Sequence, residues 1–408
     1  MSFAEEQSLE DSYVMHTFGR KPVELVSGHG MTVVDDQGKE YLDFIGGIGV
    51  ISLGHCHPKL VAAIQDQAAK LIHVSNYYYI ENRGEVAHLL SDMLNETVPD
   101  AQRAPWQTFF ANSGAEANEC AIKLARIYAR RKADAAGVPV PHTIVTLKNS
   151  FHGRTLETLA ATAQPAKQEM FQPLPGGFLA VEPNDVEALE AVFAEQGDQI
   201  CAMLLEPIQG ESGVHPMTEE YMEAVRRLTE DHDALMMVDE VQCGMYRCGT
   251  YPYAFQHYGV VPDVVTMAKG IAGGVPMGAC AAPASIAAAF EPGDHGSTFG
   301  GSNLAIAAAR CVLETIPTEG IDENVTKVGA YLEQKLSELD GVTEVRGMGL
   351  MLAADLDEGI DAPSVVLAGL DEGLLLNYTG PHTLRFLPPL VCTAQDVDVL
   401  VERLRKLL

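Results

Sequence analysis

The sequence predicts an α/β protein with a mainly parallel sheet in a large domain and a smaller α+β domain beside it. From Pro105 onward, short apolar segments of strand length alternate with helical segments, which is typical of βαβ units. After Ser302 the pattern changes to longer helices followed by closely spaced strands. The chain of 408 residues is long enough for two domains.

Composition narrows the class of protein. Hydrophobic residues make up 47% of the chain and charged residues 20%, as in globular proteins. The formal net charge of −29 argues against nucleic-acid binding. The N-terminus has no signal-peptide pattern, and no stretch reaches the length of a membrane span. The eight cysteines show no paired spacing, which indicates a reduced, cytoplasmic protein. Cys56 lies between two histidines without a second ligand pair, so no metal site is predicted.

The elements follow in order along the chain. A polar start, residues 1–30, precedes a hairpin of strands 31–35 and 40–45. A glycine-rich loop, 46–58, leads into a helix over 59–71. The strands predicted for the large sheet are 107–111, 143–147, 178–181, 201–205, 235–238, 264–267 and 279–282. The helices predicted among and after them are 115–135, 218–230, 304–316, 324–339 and one that begins at 394. Strands near 345 and over 350–355 complete the smaller domain. We expect an N-terminal segment over 1–52 that joins the small domain, a large domain over 53–302 and a C-terminal small domain over 303–408.

Lys269 is the first candidate for chemistry. It follows the strand 264–267 and precedes three glycines within residues 270–274. Open α/β sheets bind their ligands at this end of a strand, and a half-buried lysine loses its proton easily enough to form a Schiff base. An isolated lysine of this kind would more often be a surface residue.

Asp239 favours a chemical role for Lys269 over that of an ordinary surface lysine, because it directly follows the preceding strand, 235–238. A carboxylate that keeps a pyridine nitrogen protonated, together with a lysine that forms an imine, is the pair that a pyridoxal-phosphate enzyme needs. The freed Lys269 amine can then carry a proton to and from the substrate carbon. The pair therefore predicts pyridoxal 5'-phosphate as cofactor.

Further candidates lie at other strand ends. Gly114 and Ala115 begin a helix and can offer amide groups to a phosphate, although Ser113 as an ordinary N-cap explains the pattern equally well. Phe151 and Arg154 follow the strand 143–147, where an aromatic ring can stack on a flat cofactor and a guanidinium can bind a carboxylate.

Two weaker signals lie closer to the C-terminus. Ser297 and Thr298 supply hydroxyl groups in a glycine-rich loop and are possible phosphate contacts. Arg385 stands in an apolar setting, Leu384 to Leu390, where it needs an anionic partner such as a substrate carboxylate.

Taken together, these segments resemble the class III (ω-amino) pyridoxal-phosphate aminotransferases, and within them the acetylornithine group. The resemblance runs from about Gly30 to the C-terminus. The motifs that carry it are Gly54-His-Cys-His-Pro58, Ser113-Gly-Ala-Glu-Ala-Asn118, Phe151-His-Gly-Arg-Thr155, Glu206-Pro-Ile-Gln-Gly210, Asp239-Glu-Val-Gln242, Ala268-Lys-Gly270, Gly296-Ser-Thr-Phe-Gly-Gly301 and Arg346-Gly-Met-Gly349. It implies a fold-type-I homodimer with active sites at the subunit interface.

The resemblance also implies a role for each matching residue. Residues implied to bind the cofactor are Gly114, Ala115, Phe151, Asp239, Glu240, Val241, Gln242, Lys269 and Thr298. Lys269 and Asp239 would be catalytic. Ser297 and Thr298 would come from the neighbouring subunit, Ser297 to the substrate and Thr298 to the phosphate. Arg154 would bind the carboxylate remote from the reacting carbon and Arg385 the α-carboxylate of glutamate, while Glu206 would neutralise Arg385 when an ω-amine is bound.

The expected reaction transfers an amino group between N2-acetyl-L-ornithine and 2-oxoglutarate, as in arginine biosynthesis. Ile48 favours a capped α-amine, because similar ornithine enzymes carry tyrosine there. Tyr246 departs from the usual pattern and could narrow the cleft. Alternative donors are succinylornithine, succinyldiaminopimelate, ornithine and 4-aminobutyrate. An aminomutase or decarboxylase fits Arg385 less well, and a cofactor-binding regulator lacks any DNA-binding segment.

Overall fold

A computed structural model describes residues 2–408. Its strands are β1 (Leu25–His29), β2 (Thr32–Asp35), β3 (Glu40–Asp43), β4 (Trp106–Ala111), β5 (Thr143–Leu147), β6 (Phe178–Val181), β7 (Ile200–Leu205), β8 (Ile208–Gln209), β9 (His215–Pro216), β10 (Leu235–Asp239), β11 (Val264–Met267), β12 (Gly278–Pro283), β13 (Val342–Met348), β14 (Met351–Leu356), β15 (Leu374–Leu375), β16 (Asn377–Gly380) and β17 (Thr383–Phe386). All seven strands predicted for the large sheet are present, with bounds that differ by at most one residue.

The helices are α1 (Phe3–Tyr13), α2 (Gly46–Gly49), α3 (Pro58–Lys70), α4 (Arg83–Leu94), α5 (Gly114–Ala136), α6 (Leu156–Ala161), α7 (Pro165–Gln168), α8 (Val186–Gln196), α9 (Glu219–Asp231), α10 (Ala284–Ala287), α11 (Asn303–Thr318), α12 (Ile321–Ser337), α13 (Ala362–Gly369) and α14 (Ala394–Leu404). Within residues 2–408, no helix has the length and apolar character that crossing a bilayer requires. The elements that were not predicted are helices α1, α2, α4, α6, α7, α8, α10 and α13 and strands β1, β8, β9, β15, β16 and β17. Helix α1 buries none of its residues, so it shows no apolar periodicity to read.

The large sheet has the strand order β4-β12-β11-β10-β7-β5-β6. Six of its strands run parallel, and β12 runs antiparallel to its neighbours β11 and β4. Strand β10 is buried along its whole length, as expected for a central strand covered on both faces. The mainly parallel α/β sheet is thus confirmed, and the carboxyl ends of its parallel strands meet at one edge.

Besides the two-stranded sheet β8-β9, two four-stranded sheets accompany the large one. The first, β1-β2-β3-β15, joins strands from both ends of the sequence, because β15 pairs in parallel with β3. The second, β13-β14-β17-β16, is antiparallel and carries Arg385 on β17. A small domain built from the N- and C-terminal segments would contain a sheet with strands from both, as the sheet β1-β2-β3-β15 does. The exact division at residues 52 and 302 stays a prediction.

Candidate active site

A cavity of about 450 Å³ opens where the parallel strands β4, β5, β7, β10 and β11 end. This volume lies in the range of small-molecule sites. Nine of the residues singled out in the sequence line it, namely Gly114, Ala115, Phe151, Arg154, Glu206, Asp239, Val241, Gln242 and Lys269. The fold therefore brings together groups that are up to 155 positions apart in the sequence, from Gly114 to Lys269.

Lys269 is half-buried and lies two residues beyond the end of β11. Its backbone has φ of +46°, in the left-handed region that residues other than glycine rarely adopt. Such strained backbone is concentrated at functional sites. Burial lowers the pKa of the Lys269 amine from its usual value, Glu211 opposes this shift and Arg385 adds to it. The uncharged, nucleophilic form of the amine is accordingly more accessible than in an exposed lysine.

Asp239 sits at the end of β10 with 3% of its surface exposed, and three donors hold its carboxylate. Oδ2 lies 2.8 Å from Nδ1 of His152 and accepts from Nδ2 of Asn118 at 2.7 Å. Oδ1 accepts from the amide of Val241 at 3.0 Å. Thr266 on β11 donates in turn to Oδ1 of Asn118 at 2.7 Å. The carboxylate is therefore fixed in one orientation from three separate elements.

The start of α5 is shaped to receive an anion. Ser113 caps the helix through the amide of Glu116, which leaves the amides of Gly114 and Ala115 without intrahelical partners. A Cβ at Gly114 would lie 2.7 Å from Cγ1 of Val241, so the close approach of these two segments requires glycine. A phosphate at this helix N-terminus would meet free amides and the positive end of the dipole.

The loop after β5 brings Phe151 and Arg154 to the cavity. Gly153 has φ of +142°, and a Cβ there would lie 2.8 Å from Cβ of Ala115, so the loop packs directly on the start of α5. The Phe151 amide donates to Oε2 of Glu206 at 2.9 Å, which anchors the aromatic residue. Arg154 is exposed, with its Cζ 5.5 Å from the centroid of the Phe151 ring.

Arg385 pairs with Glu211, which corrects the expectation that Glu206 would be its partner. Its Nη1 donates to Oε1 of Glu211 at 2.7 Å, to the carbonyl of Gly210 at 2.9 Å and to Oε1 of Gln242 at 3.2 Å. Its Nε, buried like the rest of the side chain, has no hydrogen-bond partner among residues 2–408. Burial alone would raise the pKa of Glu211, but Arg385 and Lys269 lower it to about 2, so Glu211 is charged at neutral pH.

Glu206 lines the cavity, and its carboxylate is held there by the Phe151 amide. It is 4% exposed, and burial raises its pKa to about 7 despite the opposing charge of His152. A carboxyl group that is only partly ionised near neutral pH is a poorer counter-ion for a guanidinium than a fully ionised one. Burial and neighbouring charges therefore shift the pKa values of two glutamates five positions apart in opposite directions.

Two further expectations need correction. Glu240 does not line the cavity, because its carboxylate turns away and accepts from the amides of Ala254 at 3.0 Å and Phe255 at 2.8 Å. It stabilises the loop that follows β10. Tyr246 is 7% exposed and packs in the core, outside the residues that line the cavity. Its side chain therefore does not narrow this cavity.

Ser297 and Thr298 do not line the cavity. They border a separate surface groove of about 870 Å³, together with Tyr77 and Arg83. Ser297 Oγ accepts from Nδ2 of Asn112 at 3.0 Å and from the amide of Gly300 at 3.1 Å. Their expected role at a neighbouring subunit's site stays a prediction.

The His55-Cys56-His57 segment makes structural contacts. Nε2 of His55 lies 2.7 Å from Oδ2 of Asp43, and Nε2 of His57 lies 3.4 Å from Oε2 of Glu319. Among residues 2–408, no group of three or more histidine, cysteine, aspartate and glutamate side chains is arranged to hold a metal ion.

Sequence reasoning missed Glu211, His152 and Asn118 as members of the site. Each of the three lies inside or directly after one of the motifs quoted above. The motifs indicated the right segments of the chain but did not show which of their residues belong to the site. His152 and Asn118 are 2% and 1% exposed. Their polar side chains inside two of the motifs were the available sequence signal, but the burial that demands hydrogen-bond partners for them appears only in the folded structure.

The residues present fit pyridoxal phosphate. Free amides at the start of α5 suit the phosphate, the buried and oriented Asp239 carboxylate suits a protonated ring nitrogen, and Lys269 offers the amine. The unpartnered Nε of Arg385 supplies a buried donor for a substrate carboxylate.

The chain matches known proteins over nearly its whole length. Residues 15–408 match the family model of aminotransferase class-III. The acetylornithine aminotransferase of Caldanaerobacter subterraneus subsp. tengcongensis is 47% identical over 95% of both chains. The crystal structure of acetylornithine aminotransferase from Elizabethkingia anophelis is 31% identical, with a TM-score of 0.84 over 100% of this chain and 99% of that one.

A structure of ornithine aminotransferase from Toxoplasma gondii has a TM-score of 0.91 at 29% identity, over 100% of this chain and 94% of that chain. That structure shows partial occupancy of pyridoxal phosphate at its active site. The agreement of sequence, fold and cavity leads to one conclusion: this chain belongs to the class-III aminotransferase family.

Proposed function

We propose that this aminotransferase moves an amino group reversibly between N2-acetyl-L-ornithine and 2-oxoglutarate, yielding N-acetyl-L-glutamate 5-semialdehyde and L-glutamate. The observation that carries the proposal is the Arg385–Glu211 pair, which bonds to the cavity residue Gln242, beside a cavity lined by Arg154 and Lys269. N-acetylornithine carries one carboxylate, whereas 2-oxoglutarate carries two. The site must therefore offer one cation that binds a carboxylate of either substrate and a second cation that binds a substrate carboxylate only when 2-oxoglutarate or glutamate is present. The name of the relative that is 47% identical supports the same donor.

The cofactor that we propose is pyridoxal 5'-phosphate, held by this chain's own residues. The amides of Gly114 and Ala115 would hold the phosphate, the Phe151 ring would stack on the pyridine ring, and Asp239 would pair with the ring nitrogen. Val241 and Gln242 would complete the contacts. When bound, this cofactor supplies an electron sink for the carbanion at the substrate carbon.

Lys269 would bind the cofactor covalently and then act as the acid and base. Its amine has a pKa lowered by burial, so an uncharged amine is available to take a proton from the substrate carbon that carries the amino group. The same group can return the proton in the opposite direction of the reaction. Asp239 keeps its orientation through His152 and Asn118 throughout.

Glu211 would act as the optional partner of Arg385. With N-acetylornithine bound, the reacting end is an uncharged or cationic amine, and the ion pair stays closed. With 2-oxoglutarate or glutamate bound, the α-carboxylate would take the place of Glu211 on the guanidinium. A buried arginine is thereby paired in both states, which avoids the cost of an uncompensated buried charge.

The assembly that we propose is a homodimer in the cytoplasm. Tyr77, Tyr79 and Phe299 are exposed by 94%, 102% and 63%, and an apolar surface of this kind is typical of a contact between proteins. Tyr77 borders the same groove as Ser297 and Thr298. A second subunit that covered this surface would set the two hydroxyl residues beside its own cavity.

A donor comparison tests the reaction. We expect purified holoenzyme with 2-oxoglutarate to show a kcat/KM for N-acetylornithine at least about tenfold above those for ornithine and 4-aminobutyrate, a difference of about 1.4 kcal/mol in transition-state binding. N-succinylornithine belongs in the same panel. A higher kcat/KM for any of the three would replace N-acetylornithine as the donor and leave the aminotransferase assignment in place.

Mixed subunits test the shared site. Lys269→Ala removes the amine of a subunit's own site, whereas Thr298→Glu would put a carboxylate against the phosphate of its neighbour's site. If Thr298 acts across the interface, a mixed dimer of the two inactive variants regains one intact site and part of the activity. Recovery of no activity, with mixed dimers verified by two affinity tags, would contradict the shared arrangement.

A further inference from the structure

Two cations beside the cavity lack acidic partners. Arg154 and Lys167 both lie over the Phe151 ring, with Cζ of Arg154 and Nζ of Lys167 each 5.5 Å from the ring centroid. The ion pairs formed among residues 2–408 include neither of them, and Nζ of Lys167 donates to the side-chain amide oxygen of Gln164. The chain has 56 acidic residues against 27 lysines and arginines, so two neighbouring unpaired cations stand out. They create a local positive potential suited to an anion.

Helix α7 holds Lys167 in place. Gln164, just before the helix, donates through Nε2 to the carbonyl of Ser150 at 2.7 Å, and Gln168 donates through Nε2 to the carbonyl of Thr162 at 2.6 Å. These contacts tie α7 to the loop that carries Phe151 and to the end of α6. The position of the ammonium is therefore linked to the position of the ring beneath it.

The charges that act on Lys167 are those of the cavity. Burial lowers the pKa of its amine, and the next contributions come from Glu211, Arg154, Glu206 and Arg385. Lys167 does not itself line the cavity, but its half-buried side chain lies over the ring of Phe151, which does. It is electrostatically part of the site.

We propose that Lys167 is a specificity-determining residue, whose ammonium acts with the guanidinium of Arg154 to bind the substrate carboxylate farthest from the reacting carbon. This inference rests on the proposed function and extends it. An exposed arginine alone binds a carboxylate weakly, because water screens the interaction. A second cation above the same aromatic ring strengthens that binding and selects substrates that carry a remote carboxylate over plain ω-amines.

The test compares Lys167→Met with Lys167→Arg. Methionine keeps an apolar side chain over the ring and removes the charge, whereas arginine keeps the charge. With Lys167→Met we expect KM for N-acetylornithine and for 2-oxoglutarate to rise about tenfold at nearly unchanged kcat. The half-reaction with n-pentylamine, a donor without any carboxylate, measured in a single turnover without 2-oxoglutarate, should proceed as in the wild type. Lys167→Arg should restore both KM values to within about threefold.

Binding of glutarate, measured by calorimetry on the holoenzyme, gives a readout without turnover. We expect its Kd to rise about tenfold in Lys167→Met and to return in Lys167→Arg. The matched control is Lys132→Met, because Nζ of Lys132 lies 5.3 Å from the centroid of the Tyr128 ring but outside the residues that line the cavity. This control should bind glutarate as the wild type does.

Three results would overturn the inference: unchanged KM and glutarate affinity in Lys167→Met, equal losses in the methionine and arginine variants, or an equal loss with n-pentylamine. The last two results would show that the shape of the Lys167 side chain matters and that its charge does not. Failure of the proposed function is distinguishable, since a wild-type enzyme that ignores N-acetylornithine would still reveal through glutarate whether Lys167 binds a carboxylate.

Discussion

The two ends of the site, one inside the cavity and one beside it, are built differently. At one end, the Asp239 carboxylate accepts hydrogen bonds from His152, Asn118 and Val241 and is 3% exposed. The other end lies beside the cavity and is linked to it through Gln242; there Arg385 is buried, but the side chain of its partner Glu211 is 25% exposed. Moving Asp239 would break several buried hydrogen bonds, whereas moving Glu211 would, in the proposed reaction, exchange one carboxylate for another. The fixed end suits a permanently bound cofactor, and the adjustable end suits substrates that alternate.

The elements behind each end explain the difference. Asp239 and its partners come from β10, α5 and the loop after β5, all of which belong to the large sheet and its covering helix. Arg385 lies on β17 of the small antiparallel sheet, and Glu211 lies in the segment between β8 and β9. A contact between separate parts of a fold opens more readily than a network within one core.

The largest loss of activity is expected on substitution of Lys269, the residue at which cofactor and substrate would both react. Lys269→Ala should lower kcat by at least about 10⁴-fold in both half-reactions, because it removes the nucleophile and the proton carrier together. Product formation in each half-reaction measures this, with Lys132→Ala as a surface control. Turnover within tenfold of the wild type would refute the catalytic role of Lys269.

Asp239→Asn removes the negative charge at the fixed end. We expect kcat to fall roughly 10²–10³-fold, and by the same factor for the amino donor and for 2-oxoglutarate, since the charge at this end serves both half-reactions. Single-turnover rates of the two half-reactions provide the measurement. Thr266→Val, which alters only the outer hydrogen bond to Asn118, should have a much smaller effect. A loss confined to one half-reaction would show that this end also discriminates between substrates.

The adjustable end can be broken by Glu211→Gln. Glutamine cannot neutralise Arg385 while an amine is bound, so we expect KM for N-acetylornithine to rise about tenfold. KM for 2-oxoglutarate should stay the same or fall, because its carboxylate no longer competes with Glu211. Steady-state kinetics with each substrate varied in turn measure both values.

Glu206→Gln is the matched variant, five positions away. An amide oxygen can still accept from the Phe151 amide, so both KM values should stay within about threefold of the wild type. If Glu206→Gln instead reproduced the selective rise for the donor, the gating role would move from Glu211 to Glu206.

The smallest effect concerns stability. The pKa of Glu206 is raised by burial from 4.5 to about 7 in the folded protein, so the folded state binds this proton more tightly than the unfolded chain does. Its contribution to stability is fully present below pH 4.5 and is lost as the pH rises to about 7. Ionisation of Glu206 should therefore lower the free energy of unfolding of the wild type between about pH 5 and pH 7.5. In Glu206→Gln this decrease should be smaller by roughly 1–3 kcal/mol.

Denaturant unfolding at the two pH values measures this contribution. Glu220→Gln, at an exposed position on α9, should behave as the wild type. An equal pH dependence in Glu206→Gln and the wild type would show that Glu206 is already ionised in the folded protein below neutral pH.

Much of the fold and part of the site could be predicted because their signals are local. Continuous apolar runs such as Leu235 to Val238 mark buried strands, and the polar residue that ends each run lies at the ligand-binding edge of a parallel sheet. That rule placed Asp239 and Lys269 in one cavity. Helix α1 gave no such signal because it buries no residue.

The partner of Arg385 could not be predicted in the same way. Glu206 and Glu211 are chemically identical and lie in one short segment, so neither composition nor spacing distinguishes them. What separates them is that Glu206 is held by the Phe151 amide, 55 positions away, while Glu211 meets Arg385, 174 positions away. The same holds for Lys167, whose relation to Arg154 depends on a shared aromatic ring.

The sequence by itself determined which chemical groups stand at the ends of the strands, because strand periodicity and the parallel βαβ order act over short distances along the chain. The tertiary structure alone decided which charge pairs with which, and hence in which direction the pKa of each carboxyl group is shifted. Electrostatic interactions and desolvation depend on distances through space and on burial, and both are set only when distant segments pack together.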